Sequence, residues 1–120
     1  MRTAIALIVL ALLGGCTKHT LKERDYQARL CDRLDGVMEY RLKDGARVDC
    51  LNDTYAIEVE FAKKWAEAAG QSLYYAAQTG RKPAVGFILR DTPKDHRRLT
   101  RLRVLARRYA ITIITLPRGD

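Results

Sequence analysis

Cysteine and histidine are scarce in this sequence. It has three cysteines and two histidines among 120 residues, whereas a structural zinc site usually takes four Cys or His ligands. Cys31 and Cys50 are distant from each other along the chain, and so are His19 and His96. The composition therefore argues against a zinc-binding domain.

Long apolar runs are missing as well. The longest covers residues 4–13 and follows Arg2, which is too short for a membrane-spanning helix of roughly 20 apolar residues. A positive start, a short apolar run and the small residues after it predict a secretory signal peptide over residues 1–15.

The end of this signal, Leu-Gly-Gly-Cys at 13–16, resembles the bacterial lipobox. The resemblance implies cleavage before Cys16 and lipidation of its thiol and of the new amino group. The chain would then be anchored in the cell envelope, and Thr17 favours the periplasmic side of the outer membrane in a Gram-negative cell. The alternatives are a chance cysteine after an ordinary signal or an N-terminal anchor. We predict a lipidated tether over 16–20 and a folded domain over 21–120.

Repeats and low-complexity segments are absent, and 48% of the residues are hydrophobic, so the composition is not that of a disordered protein. The length suits one domain with a modest core. The net charge of +8, from 22 basic and 14 acidic residues, favours a polyanionic partner such as nucleic acid, anionic lipid or lipopolysaccharide. The alternative is a basic soluble surface without a specific partner. The sequence leaves the oligomeric state open, a homodimer included.

Export also bears on the two cysteines that remain after Cys16. Disulfides persist in oxidising compartments, so Cys31 and Cys50 are expected either to form one or to remain two buried thiols, which pack as small apolar groups. The sequence does not decide between these states.

Turn residues and periodicity predict eight helices and strands. Thr20 to Glu23 forms a capping-box motif that begins the first helix, Asp44-Gly45 predicts a hairpin turn, and Thr92-Pro93 predicts the start of the last helix. The helices are predicted over 20–34, over 62–79 and from 92 onwards, and the strands over 37–42, 46–51, 55–61, 84–89 and 111–116. We therefore predict one α/β domain with a mixed sheet, in the order α-β-β-β-α-β-α-β.

Three carboxylates lie on two of these strands. Glu58 and Glu60 share a strand face because side chains alternate along a strand, and Asp49 lies on the preceding strand. Carboxylates this close repel one another when ionised unless a cation joins them, and Mg²⁺ binds through one or two carboxylates and completes its shell with water and phosphate. The sequence therefore predicts a site for Mg²⁺ or Mn²⁺ with Asp49 and Glu58 as ligands. The alternative is a solvated strand face.

The helix that follows supplies basic and polar groups. Lys64, Gln71 and Tyr75 are spaced to share one helix face, Lys63 lies beside them, and the N-terminus of a helix favours a phosphate. We expect these residues to contact a phosphate-bearing substrate. The alternative is a surface lysine and an ordinary polar helix side.

The element order and these residues resemble the PD-(D/E)XK nuclease superfamily, whose fold is restriction-endonuclease-like. The resemblance covers roughly residues 21–90. It implies metal-dependent cleavage of nucleic acid, an Asp on the second strand, a Glu-x-Lys on the third, a Glu on the first helix and, in some members, Gln-x-x-x-Tyr on the next helix. The matching residues in this sequence are Asp49, Glu58, Glu60, Glu23, Gln71 and Tyr75. Glu23 has a second explanation, as the glutamate of the capping box.

The sequence departs from the family pattern at two positions. Val48 replaces the proline of the motif, and Glu60 occupies the position of the usual lysine. Some members supply that lysine from the next helix, so Lys64 is the first choice for this role and Lys63 the second. A lysine there would orient the attacking water and neutralise developing charge.

The expected function is thus metal-dependent hydrolysis of phosphodiester bonds in nucleic acid, with DNA as the expected substrate, at a membrane surface. The alternative is a non-catalytic lipoprotein that binds DNA, another polyanion or an envelope partner through its basic surface. A third interpretation makes the signal misleading and the enzyme cytoplasmic. The last helix carries arginines that either contact a DNA backbone or form a solvated face: Arg97, Arg98, Arg101, Arg107 and Arg108.

Overall fold

The computed structural model describes residues 20–119, so the signal peptide, Cys16 and Thr17 lie outside the described residues. These residues form three helices, α1 (Glu23–Arg33), α2 (Trp65–Thr79) and α3 (Pro93–Tyr109), and five strands, β1 (Val37–Arg41), β2 (Arg47–Leu51), β3 (Tyr55–Phe61), β4 (Lys82–Leu89) and β5 (Thr112–Pro117). The prediction of a single α/β domain with a mixed sheet is confirmed. None of the described helices is long and apolar enough to cross a membrane.

The five strands form one sheet in the order β1-β2-β3-β4-β5. The first three strands pair antiparallel, and β3, β4 and β5 pair parallel. The parallel pairs need crossover connections, which α2 and α3 provide. The carboxyl ends of β3, β4 and β5 therefore meet at one edge of the sheet.

Helices cover both faces of the sheet. On one face, α1 packs Leu30 against Val59 and Ile88. The packing is so close at Gly86 that an added Cβ would lie 2.9 Å from Leu30 Cδ2. On the other face, α2 and α3 cover a second cluster that contains Phe87 and Leu102. The near-continuous apolar sequence of β4 follows from this burial on both sides.

The start of α1 differs from the sequence prediction. The helix begins at Glu23, with Lys22 as the residue before it, and the Lys22 backbone N–H donates to Asp25 Oδ2 at 2.8 Å. Asp25, not Glu23, therefore returns to the helix start, and the capping box predicted from Thr20 to Glu23 is wrong. The motif is only four residues long, and it matched two residues too early. Glu23 is left available for other contacts.

A disulfide joins α1 to β2. Cys31 and Cys50 are bonded, with their Cα atoms 5.6 Å apart, which decides between the two states that the sequence left open. Both cysteines are buried in the core beneath α1. Gly36 passes directly against the two sulfur atoms, and no space remains there for a Cβ.

The β1–β2 hairpin turn and the start of α3 form as their residues predict. Gly45 has φ of +90° in the β1–β2 hairpin, a conformation that glycine adopts without a steric penalty. Thr92 caps α3, because its Oγ1 accepts a hydrogen bond from Asp95 N at 3.2 Å, and Pro93 is the first helical residue.

Candidate metal centre

The sheet splits between β2 and β3, and the acidic residues lie at the split. The two strands pair only at Cys50 with Ile57 and at Leu51 with Ala56. The next pair in this register would be Asp49 with Glu58, and no ladder forms there. Instead, Asp49 Oδ2 accepts the Val59 backbone N–H at 2.8 Å. A side-chain carboxylate therefore replaces a strand carbonyl, which brings Asp49 into the gap beside Glu58.

Asp49 and Glu58 share a hydrogen bond across this gap. Burial raises the pKa of Glu58 to about 10, and the Asp49 charge, the hydrogen bond and the charges of Glu60 and Glu23 act in the same direction. Burial also raises the pKa of Asp49 to about 6, against the hydrogen bonds from Val59 and Glu58. Both shifts favour a proton shared by the metal-free pair at neutral pH, and the larger one is at Glu58.

The Oε2 oxygen of Glu58 accepts no hydrogen bond from an N–H or O–H donor within residues 20–119. Glu58 is only 4% exposed, and its Oε2 atom is buried without a hydrogen-bond partner. A buried polar atom without a partner costs roughly 1–3 kcal/mol, so native structures rarely leave one without a reason. An oxygen-binding cation is such a reason.

Glu60 meets Glu23 on the same side of the domain. The two carboxyl groups share a hydrogen bond, and α1 places Glu23 there as its first residue. Burial raises the pKa of Glu23 to about 8, as do this hydrogen bond and the charges of Glu60 and Asp49, while the Lys64 charge acts in the opposite direction. Four acidic groups from α1, β2 and β3 thus interact electrostatically, and Lys64 is their basic neighbour.

Sequence reasoning missed two residues that support Asp49. Gln27 is buried, and its Nε2 donates to the Asp49 carbonyl oxygen at 2.7 Å and to Glu39 Oε1 at 3.0 Å. Glu39 has φ of +55°, which is uncommon for a residue with a Cβ. The spacing of Gln27 four residues after Glu23, on the same helix face, was a usable signal. The backbone of Glu39 was not predictable, because strand alternation assumes regular dihedral angles.

The predicted substrate-contacting residues on α2 and just before it do not all lie at the acidic group. Tyr75 is buried, and burial raises its pKa to about 12, as do the charges of Glu58 and Asp49, so it lies within electrostatic range of both carboxyl groups. Lys64 is exposed and acts on Glu23. Lys63 instead lines a separate cavity beside α3. Gln71 is exposed and, within residues 20–119, makes no side-chain hydrogen bond, so its substrate contact stays a prediction.

The donor atoms fit Mg²⁺ or Mn²⁺. Within residues 20–119, no group of three or more His, Cys, Asp and Glu side chains is arranged as a complete metal site. Magnesium does not need one, because it binds through one or two carboxylates and keeps several waters. Asp49 and Glu58 would be those two carboxylates, and Glu58 Oε2 is a buried oxygen with no described hydrogen-bond partner.

Comparisons with known proteins give no match to this chain among protein-family models, curated proteins or solved structures.

Proposed function

We propose that this chain hydrolyses phosphodiester bonds of nucleic acid, with DNA as the expected substrate and with Mg²⁺ or Mn²⁺ held by Asp49 and Glu58. The observation that carries the proposal is the buried, unpartnered Oε2 of Glu58 in a gap that also contains Asp49. Two acidic groups this close repel each other unless a cation or a proton joins them. The basic net charge of the chain suits a polyanionic substrate.

We also propose that the domain is restriction-endonuclease-like and belongs to the PD-(D/E)XK superfamily. Three features support this assignment. The antiparallel strands β1 to β3 lead into a parallel pair through α2, the acidic residues lie at the β2–β3 split, and the first helix delivers Glu23 to Glu60. The family pattern places acidic residues on these same elements.

The bound cation would activate a water and stabilise charge on the leaving oxygen. The water oxygen forms a bond to phosphorus, the bond from phosphorus to the leaving sugar oxygen breaks, and that oxygen takes a proton from solvent. The ionised form of Glu23 accepts the proton lost by the water, and its pKa of about 8 keeps part of this form present near neutral pH. Lys64 orients the water and offsets negative charge on the phosphate.

The cutting activity is tested with the full chain, purified in detergent, on plasmid and linear duplex DNA with Mg²⁺ or Mn²⁺. Asp49→Ala and Glu58→Ala are expected to lower the initial rate at least about a hundredfold, because even groups outside the first ligand layer of a metal site contribute tenfold to a hundredfold. Lys64→Ala is expected to lower the rate at least about tenfold. Asp32→Ala, which removes an exposed carboxylate elsewhere on α1, is the matched control.

The same assay separates the two candidate functions. Cutting that needs no metal, or that survives both Asp49→Ala and Glu58→Ala, contradicts the catalytic proposal. Retention of DNA that weakens with salt, without any cutting, favours the binding alternative. The binding alternative is favoured by one observation, that Glu60 occupies the position of the usual lysine.

We further propose that lipid on Cys16 anchors the chain in the cell envelope. The Cys31–Cys50 disulfide supports an oxidising compartment. An alkyne-labelled fatty acid fed to expressing cells is expected to label the wild-type chain and not Cys16→Ala. Cys31→Ala is the control, and it should label like the wild type. Label that persists in Cys16→Ala contradicts the anchor.

A further inference from the structure

A second polar site lies beside the metal centre, at the carboxyl ends of β3, β4 and β5. It is an open cavity of about 520 Å³, bounded by the end of β3 and by the first turn of α3. The charged side chains that line it are five basic ones and one acidic one, Lys63, Arg90, Lys94, Arg98, Arg118 and Asp95.

The acidic residue does not neutralise the cavity. Asp95 Oδ2 accepts the Arg90 backbone N–H at 2.9 Å, and Asp95 Oδ1 accepts from the Arg98 guanidinium at 2.8 Å. Both carboxylate oxygens of Asp95 are therefore occupied by hydrogen bonds at the start of α3. Lys63 and Lys94 are exposed, and neither forms a salt bridge with a carboxylate of residues 20–119. The cavity therefore keeps an excess of positive charge at these two lysines.

We infer that this cavity binds a phosphate group of the nucleic-acid backbone, a few nucleotides from the bond that is cut. The choice of nucleic acid rests on the proposed function. Converging cationic side chains in a concave site suit a phosphate, which accepts several charge-assisted hydrogen bonds. Positive charge alone does not distinguish nucleic acid from other phosphate-bearing ligands. The position of the cavity relative to the acidic residues favours nucleic acid.

Lys63 follows Glu60 by three residues, so the two lie at most about 11 Å apart along the chain. Each nucleotide of one strand advances about 3.4 Å along the axis of duplex DNA. A strand with one phosphate at the carboxylates would therefore place another phosphate of the same strand within reach of Lys63. Exposed arginines on α3 continue the positive surface beyond the cavity, among them Arg97 and Arg101.

The test measures binding of a fluorescent 20-base-pair duplex to the full chain in detergent, with EDTA present so that no cutting takes place. The double variant Lys63→Ala/Lys94→Ala is compared with Arg33→Ala/Lys82→Ala. The control removes the same charge from two exposed residues that do not line the cavity, at the end of α1 and at the start of β4. The cavity variant should bind at least about fivefold more weakly at 0.1 M salt, and its log–log salt slope should fall by about 1.8.

Three results would overturn the inference. The first is an unchanged salt slope in the cavity variant. The second is an equal loss in the control variant, since this would show a general effect of net charge. The third is binding of glycerol phosphate, an anionic-lipid head group, that needs Lys63 and Lys94 while DNA binding does not. Asp49→Asn separates this inference from the proposed function, because it should stop cutting and leave duplex binding intact.

Discussion

Replacing Glu58 with glutamine is expected to lower the rate of metal-dependent cutting at least about a hundredfold. The same substitution is expected to make the metal-free domain more stable at pH 7. Glutamine keeps the shape of the side chain but cannot supply the charge that a divalent cation needs. In the folded metal-free domain the pKa of Glu58 is about 10, so this residue already carries a proton at pH 7. The variant avoids the free energy of taking up that proton, and we expect a gain of about 1–3 kcal/mol. Initial cutting rates and urea unfolding measure the two effects.

The pH dependence of stability tests whether the gain in Glu58→Gln comes from the proton that Glu58 takes up on folding. Glu58 in the unfolded chain titrates near 4.5, and in the folded domain it titrates near 10. Between these values the folded state binds one more proton, so the stability of the metal-free domain falls as pH rises, by at most about 1.4 kcal/mol per pH unit. Asp49 adds to the slope between about 3.8 and 6. Glu58→Gln should flatten the slope and lose its advantage at pH 4, and Mg²⁺ should stabilise only the wild type.

Two outcomes would contradict this account of Glu58. Full cutting activity in Glu58→Gln would exclude it as a ligand. A variant that is less stable than the wild type at pH 7 would show that the buried carboxyl makes favourable contacts there, since glutamine removes only the acidic group. The expected trade between activity and stability is typical of sites in which like charges are held together for function.

Removing the disulfide is expected to cause a large loss of stability. Cys31→Ala/Cys50→Ala should lower the free energy of unfolding by about 3 kcal/mol, because the bond closes a loop with a sequence separation of 19 and so restricts the unfolded chain. Urea unfolding measures the loss. Dithiothreitol should lower the stability of the wild type by a similar amount and leave the double variant unchanged. A wild type whose stability does not respond to dithiothreitol contradicts the prediction.

The strands that carry the acidic residues were predictable from local patterns. Alternation along residues 55–61 places Ile57 and Val59 on the face opposite Glu58 and Glu60, and the observed core beneath α1 contains Ile57 and Val59. Such patterns work because a strand has a fixed period of two and because each face of this sheet is packed against a helix.

Features that depend on distant contacts were not predictable. The pairing of Gln27 with the Asp49 carbonyl joins residues 22 positions apart, and no local pattern contains it. The separate destinations of Lys63 and Lys64 have a geometric cause. Helical periodicity was assumed from Ala62 onwards, but Ala62–Lys64 forms a 3₁₀ turn before α2, and its tighter winding changes the direction in which each side chain points.

The disulfide has a consequence for how the acidic site can move. It joins α1, which carries Glu23 and Gln27, to Cys50, the neighbour of Asp49. The bond closes the loop 31–50, which contains Asp49, and ties this loop to the helix that carries Glu23 and Gln27, whereas Glu58 and Glu60 lie on β3, beyond the loop. Between the two parts, β2 and β3 share only two paired positions. Separating Asp49 from Glu58 would therefore disrupt few strand pairs, whereas the disulfide limits how far Asp49 can move from α1.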